Sequence, residues 1–95
     1  MYISISSFKI KAEKYDEMIE YANSLIPELR EVNGLRHFYT VRTGEDSALA
    51  HVIYESKEAA ENATPKIQEI FSRMAEFVTA PPERNVYELI INEKF

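Results

Sequence analysis

The chain has 95 residues, 45% hydrophobic and 28% charged, which suits one globular domain spanning residues 1–95. Its formal net charge of −5, with no cluster of Lys and Arg, would repel a phosphate backbone, so we expect no nucleic-acid partner. With no cysteine and no signal-peptide pattern at its start, the chain is predicted to be cytoplasmic. No apolar run approaches the roughly 20 residues that cross a bilayer, so we expect no membrane partner.

The first part of the chain predicts a strand and then a long helix. Residues 2–11 alternate between polar and apolar side chains, as a strand does. From Glu13 to Val32, apolar residues recur every three or four positions, which predicts an amphipathic helix. Pro27 should kink this helix, because its ring removes a backbone donor. Gly34 should end it by taking a positive φ.

The second part predicts a hairpin, another helix and a last strand. Two β-rich runs around a glycine-containing turn predict the strands Leu35–Arg42 and Ala48–Glu55. Ser56 is placed to cap the next helix by accepting a hydrogen bond from a first-turn amide. Pro65 should interrupt that helix. The run Val86–Asn92 predicts the fourth strand.

The predicted order, βαββαβ, defines a fold class. Two right-handed crossovers give a ferredoxin-like α+β fold, with an antiparallel sheet in the order 4-1-3-2 and both helices on one face. Apolar side chains are expected on both faces of the hairpin, with Leu35, Val41, Leu49 and Ile53 on one and Phe38, Val52 and Tyr54 on the other. The face without helices therefore needs a partner sheet.

Three segments of the chain carry a family resemblance: "IPELREVNGL", "IYESKEAAENA" and "EIFSRMAEFVTAPP". They resemble the antibiotic biosynthesis monooxygenase-like (ABM) group of the dimeric α/β-barrel superfamily. The resemblance implies a homodimer in which two ferredoxin-like sheets pair face to face, with a pocket between helices and sheet in each subunit. It also implies either cofactor-free oxygenation of quinols and polycyclic aromatics, or haem degradation, as activities of the group.

Several residues depart from the pattern of that group. Tyr54 stands where the group often has Trp, and Ser6 stands where haem-degrading members have Asn. The second predicted helix, residues 57–78, contains neither the Trp nor the His of those members. The His that many other members carry after the helix break is also absent near Pro65. We therefore expect no haem and no other cofactor.

The helix side of the predicted sheet offers a candidate ligand pocket. Ser4 and Ser6 are small polar residues in a central strand and could leave space for a flat aromatic molecule. The alternative is tight packing under a bulky helix, with each hydroxyl bonded to backbone. The predicted pocket consists of Ser4, Ser6, Phe8, Val52, Tyr54, Phe71 and Met74.

His37, Tyr39 and His51 form a candidate polar cluster on the opposite face. If Arg42 pairs with Ala48, His51 lies opposite Tyr39 and diagonal to His37. The cluster could supply a general base or a two-histidine metal site. We favour a structural role at a dimer interface, because buried polar groups are normally paired for structural reasons alone. With two histidines, no cysteine and no helical pair at ligand spacing, no metal site is expected.

Two functional hypotheses follow. The first is a cofactor-independent monooxygenase acting on an aromatic or quinol-like molecule, with Tyr54 as the candidate catalytic residue. The second is a non-catalytic homodimer that binds a small hydrophobic metabolite, which is consistent with the lack of an obvious base in the pocket.

Overall fold

The computed structural model describes all 95 residues and contains four strands, four α-helices and two short 3-10 helices, Ala12–Lys14 and Ala75–Phe77. The strands are β1 (Tyr2–Lys9), β2 (Leu35–Gly44), β3 (Ser47–Tyr54) and β4 (Glu83–Glu88). The helices are α1 (Tyr15–Ser24), α2 (Ile26–Arg30), α3 (Lys57–Asn62) and α4 (Thr64–Arg73). None of them has the length and apolar character that a membrane span requires.

The sheet has the predicted topology. Its strands are all antiparallel and lie in the order β2-β3-β1-β4, which is the predicted order read from the opposite edge. Along β3, buried and half-buried residues alternate, because one face of the sheet is covered by the helices and the other is open. The α+β, ferredoxin-like fold class is thus confirmed.

The predicted helix breaks and caps are also confirmed, whereas the predicted helix ends are wrong: α2 ends at Arg30 and not at Val32, and α4 ends at Arg73 and not at Val78. Each long helix is divided in two, and Pro27 and Pro65 lie in the first turns of α2 and α4. Gly34 has φ of 80° and follows α2, where a side chain would be strained. The Ser56 hydroxyl caps α3 by accepting from the Ala59 amide at 3.0 Å.

The predicted bounds of the last strand are wrong. We expected residues 86–92, whereas β4 is Glu83–Glu88. Its only partner is β1, which begins at Tyr2 opposite Glu88, so later residues have no strand to pair with. Ile90 and Ile91 are accordingly about 80% exposed.

The predicted side for Leu35 is also wrong. In the β2–β3 ladder Leu35 pairs with Tyr54 and His37 with Ile53, which leaves Arg36 as an extra, bulged residue. A one-residue shift moves a side chain to the other face of the sheet. Leu35 therefore packs against the core beneath the helices rather than on the open face.

Candidate functional site

An apolar cavity of about 60 Å³ lies between the sheet and the helices. Ser4 and Ser6 of β1 supply its floor, and we call it the serine cavity. The remaining lining residues are almost all apolar: Phe8, Met18, Ala22, Leu25, Leu29, Phe38, Thr40, Ala48, Ala50, Val52, Ile67, Ile70, Phe71 and Met74. The Phe8 and Phe71 rings meet edge to face, with centroids 5.5 Å apart.

The two floor serines are buried without protein hydrogen-bond partners. Ser4 is 1% exposed and Ser6 is 4% exposed. Hydroxyls of other serines, such as Ser47 and Ser56, do bond within the chain, whereas these two do not. The fully enclosed side-chain atoms without a partner are Oη of Tyr21, Nδ1 of His51 and Nε of Arg84, so the two serine hydroxyls keep access to the cavity, where a ligand could bond to them. The backbone-bonded alternative is not what the structure contains.

Six of the seven residues predicted for the pocket line the serine cavity, namely Ser4, Ser6, Phe8, Val52, Phe71 and Met74. Tyr54 does not line it. Its side chain is fully buried next to the cavity, and its hydroxyl lies 3.5 Å from Nη2 of Arg84. Tyr54 therefore reaches the cavity only through intervening residues.

Arg84 is a polar residue of this region that the sequence interpretation missed. It pairs with Ser6 across β1 and β4, so it lies on the helix side of the sheet. Its guanidinium donates to the Thr64 hydroxyl at 2.9 Å and to the Ala60 carbonyl at 3.1 Å. Placing β4 correctly would have revealed it, because alternation then puts residue 84 beside Ser6.

An ion-pair network joins the two helices above the serine cavity. Oε1 of Glu28, on α2, accepts from Lys66 and, at 2.7 Å, from Arg73, both on α4. Leu29 follows Glu28 along α2 and lines the cavity, as does Ile67, which follows Lys66. Separating α2 from α4 to open the cavity would therefore break both bonds of Glu28.

The same network shifts three pKa values. Hydrogen bonds from Arg73 and then Lys66 lower the pKa of Glu28 to about 2, from an ordinary 4.5. The hydrogen bond to Glu28 raises the pKa of Lys66, and the same contact raises that of Arg73. The bridge between α2 and α4 therefore stays fully charged at neutral pH.

A wider groove of about 690 Å³ lies between α2 and α3, beyond this bridge. Its lining is mostly acidic and amide side chains, including Glu31, Glu58 and Asn62. It lacks the apolar enclosure of a typical small-molecule site.

The predicted polar cluster lies on the open face of the sheet. Tyr39 pairs with His51, and their rings stack with centroids 4.6 Å apart. His37 meets Tyr39 edge to face at 5.3 Å. These side chains contact one another through their rings and not through hydrogen bonds, and the buried Nδ1 of His51 has no partner.

The open face of the sheet exposes large apolar and aromatic side chains. Tyr39, Val41 and Tyr87 are each about 40–50% exposed. No three His, Cys, Asp or Glu side chains come together in a way that could hold a metal ion.

No family model matches the chain, and no curated protein matches it in sequence. Solved structures do match. A Deinococcus radiodurans protein provisionally named an antibiotic biosynthesis monooxygenase superimposes with a TM-score of 0.80, over 100% of this chain and 98% of its own, at 14% identity. The fold is that of the ABM proteins. The resemblance read from the sequence is thereby supported at the level of fold.

Two further matching structures were solved with ligands. A Streptomyces coelicolor monooxygenase from the gene ActVA-Orf6, in complex with nanaomycin D, has a TM-score of 0.72 at 16% identity, over 97% of this chain and 92% of its own. A variant of MhuD with two manganese protoporphyrin IX molecules per active site has a TM-score of 0.79 at 16% identity, over the whole of both chains. At such identities the matches establish the fold of this chain and not its activity.

Proposed function

We propose that the protein binds a small aromatic or quinol-like molecule in the serine cavity and acts on it as a cytoplasmic, cofactor-independent monooxygenase. The observation that carries the proposal is the apolar cavity whose floor holds two buried serines, Ser4 and Ser6, with hydroxyls that form no hydrogen bond within the chain. Few, well-placed polar groups in an apolar cavity are what orient a flat ligand. The two ligand-bound structures that match in fold, one with nanaomycin D and one with manganese protoporphyrin IX, support this choice of ligand class.

The chemistry has to be driven by the substrate. Loss of a proton from a ring CH₂ group gives a carbanion, which transfers an electron to O₂. The resulting carbon radical and superoxide combine to form a carbon–oxygen bond, and protonation gives a hydroperoxide. Loss of water from the hydroperoxide leaves a carbonyl, so CH₂ and O₂ become C=O and H₂O. None of the lining residues is titratable. The substrate must therefore be acidic enough to ionise on binding, while Ser4 and Ser6 donate to the oxygen that becomes negative.

Binding requires the cavity to enlarge. A volume of about 60 Å³ is that of about two waters, whereas ligand pockets usually have several hundred Å³. The helix breaks after α1 and after α3 are the places where the roof can bend, and the Glu28 bridge is the contact that opposes opening. Because Tyr54 does not line the cavity, any role of Tyr54 in the reaction is proposed to be indirect, without contact with the substrate.

A second candidate function is binding without turnover. The specific observation in its favour is the absence of any titratable side chain from the cavity lining. Native mass spectrometry of freshly purified protein would then show a retained small hydrophobic molecule, and reproducible turnover of a substrate would count against this alternative.

The open face is proposed to pair two copies into a homodimer, giving a dimeric α/β barrel. Tyr39, Val41 and Tyr87 would become buried. Light scattering at micromolar concentration should give twice the 11.0 kDa chain mass, and a monomer would contradict the proposal. A Tyr39→Glu variant should be monomeric because it places a charge in the interface.

Oxygen uptake tests the enzymatic proposal. Wild-type protein is mixed aerobically with a panel of quinols and anthrones, and uptake above the uncatalysed rate is expected for at least one. A Ser6→Ala variant should lose most of this uptake. The adjacent Ser7→Ala is the matched control, because Ser7 is exposed on the other face of the same strand. Absence of uptake by wild type across the panel would refute turnover.

A further inference from the structure

Arg84 is a half-buried cation without an anionic partner. Arg36 and Arg73 pair with carboxylates, whereas no carboxylate lies within ion-pair distance of Arg84. The exposed Arg30 and Arg42 also lack an ion pair, so what distinguishes Arg84 is that it lacks one at a half-buried position. Its guanidinium contacts only neutral oxygens, on Thr64, Ala60 and Tyr54. Its positive charge is therefore uncompensated at close range, in a region where burial weakens solvent screening.

One donor of Arg84 is also unused. Its Nε atom is buried and has no hydrogen-bond partner. A guanidinium offers five N–H donors in a fixed plane that matches carboxylate and similar oxygens. Orphaned buried donors are rare in folded proteins, and functional sites are among the places where they occur.

Arg84 lies beside the serine cavity, on the same face of the sheet as Ser6. Its strand position is opposite Ser6, which lines the cavity. Its contact Thr64 stands three residues, or about one helical turn, before Ile67, which also lines the cavity. Side chains directly opposite on antiparallel strands have Cβ atoms about 5 Å apart, so a ligand that contacts Ser6 in an enlarged cavity would lie near Arg84.

We propose that Arg84 makes the serine cavity selective for aromatic ligands that carry an anionic oxygen, such as a phenolate, an enolate or a carboxylate. This inference rests on the proposed binding function and specifies its ligand class. The anionic oxygen is held by the Ser4 and Ser6 hydroxyls, and the Arg84 guanidinium lies beside Ser6 on the same face of the sheet. The chain as a whole is negative, with a formal charge of −5, so selectivity for an anion requires such a local cation. Arg84 acts as a specificity-determining residue that also compensates for the missing base, because it stabilises the ionised form of the ligand.

The test compares two ligands that share a ring system and differ in charge. Dissociation constants of 2-naphthoate and 2-naphthamide are measured at pH 7.5 and low salt by titration calorimetry. Wild type should prefer the carboxylate by about tenfold or more, the range expected for a charged hydrogen-bonding partner. Arg84→Met should lose this preference, and Arg84→Lys should retain a large part of it.

Controls separate the charge effect from folding. The ratio of two affinities measured on one variant does not depend on the fraction of protein that is folded. Arg84→Gln removes the charge but keeps donors for Ala60 and Thr64, and it replaces Arg84→Met if that variant does not fold. Arg36→Met removes the same charge from an exposed residue that pairs with Glu55, and it should leave the ratio unchanged.

The possible results separate the selectivity proposed for Arg84 from the binding function proposed for the serine cavity. If the ratio of the 2-naphthoate and 2-naphthamide affinities is the same in wild type, Arg84→Met and Arg84→Gln, Arg84 does not determine the selectivity, although the cavity remains a binding site. A wild type that favours the amide would lead to the same conclusion. Failure of wild type to bind either compound would refute aromatic binding in the cavity, and the selectivity with it.

Discussion

Replacing Ser6 by Ala should make the protein more stable while it weakens ligand binding. Ser6 is 4% exposed and its hydroxyl has no protein partner. Deleting a buried polar group that is properly bonded normally destabilises a protein, so the sign of this effect tests whether the hydroxyl is free.

The magnitude follows from two terms. A buried hydroxyl without a hydrogen bond costs about 1–3 kcal/mol, which Ser6→Ala removes. The substitution enlarges the cavity by at most about 30 Å³, one water's share, which costs up to about 0.7 kcal/mol at 24 cal/mol per Å³. The net expectation is a gain of about 0.5–2 kcal/mol in the free energy of unfolding. Such a gain raises Tm by several degrees in a domain of this size.

Urea denaturation followed by circular dichroism measures this change. The matched control is Ser56→Ala, since the Ser56 hydroxyl accepts from the Ala59 amide at 3.0 Å and caps α3. That variant should lose about 1 kcal/mol. If Ser6→Ala instead destabilises the protein by 1 kcal/mol or more, the Ser6 hydroxyl of the wild type is hydrogen-bonded in the folded state. It would then not be free to bond to a ligand.

Two further substitutions test the framework around the cavity. The carboxyl of Glu28 has a lowered folded-state pKa of about 2, so its stabilising contribution is complete above about pH 4.5 and is lost as pH falls toward 2. The difference in the free energy of unfolding between wild type and Glu28→Gln, measured in urea, should therefore shrink over that pH range. Glu69 pairs with the same two cations from within α4, and Glu69→Gln should differ little from wild type at any pH. Gly34→Ala should cost about 2–4 kcal/mol, because φ is positive and the new Cβ would lie 2.6 Å from Cβ of Ala59. The control Gly44→Ala should cost less than about 1 kcal/mol, since its nearest neighbour is a movable hydroxyl, and a larger loss there than at Gly34 would contradict the reasoning.

Much of the fold could be predicted from the sequence, because its determinants are local. Pro27, Pro65 and Gly34 act through their own backbone geometry, and Ser56 acts through a hydrogen bond to an amide three residues later. Each takes the predicted role. The cavity lining was largely predictable for a related reason, since strand alternation and helical periodicity fix which side chains face each other.

The missed features depend on pairing between distant segments. The bounds of β4 are set by where β1 begins, and the placement of Leu35 is set by a bulge at Arg36, which period-two alternation does not reveal. The first error concealed Arg84. The position of the Tyr54 hydroxyl, away from the cavity lining, follows from the reach of its ring toward α3, which only the packed structure defines.

The most direct test of the serine cavity as a ligand site uses the three methionine methyl groups. Met18 and Met74 line the cavity, whereas Met1 is 50% exposed at the start of the chain. In methyl-labelled protein titrated with 1-naphthol, the NMR signals of Met18 and Met74 should shift and show contacts to the naphthol ring protons, while Met1 stays unchanged. Saturating 1-naphthol that leaves Met18 and Met74 unshifted, or that shifts Met1 alone, would contradict binding in the serine cavity.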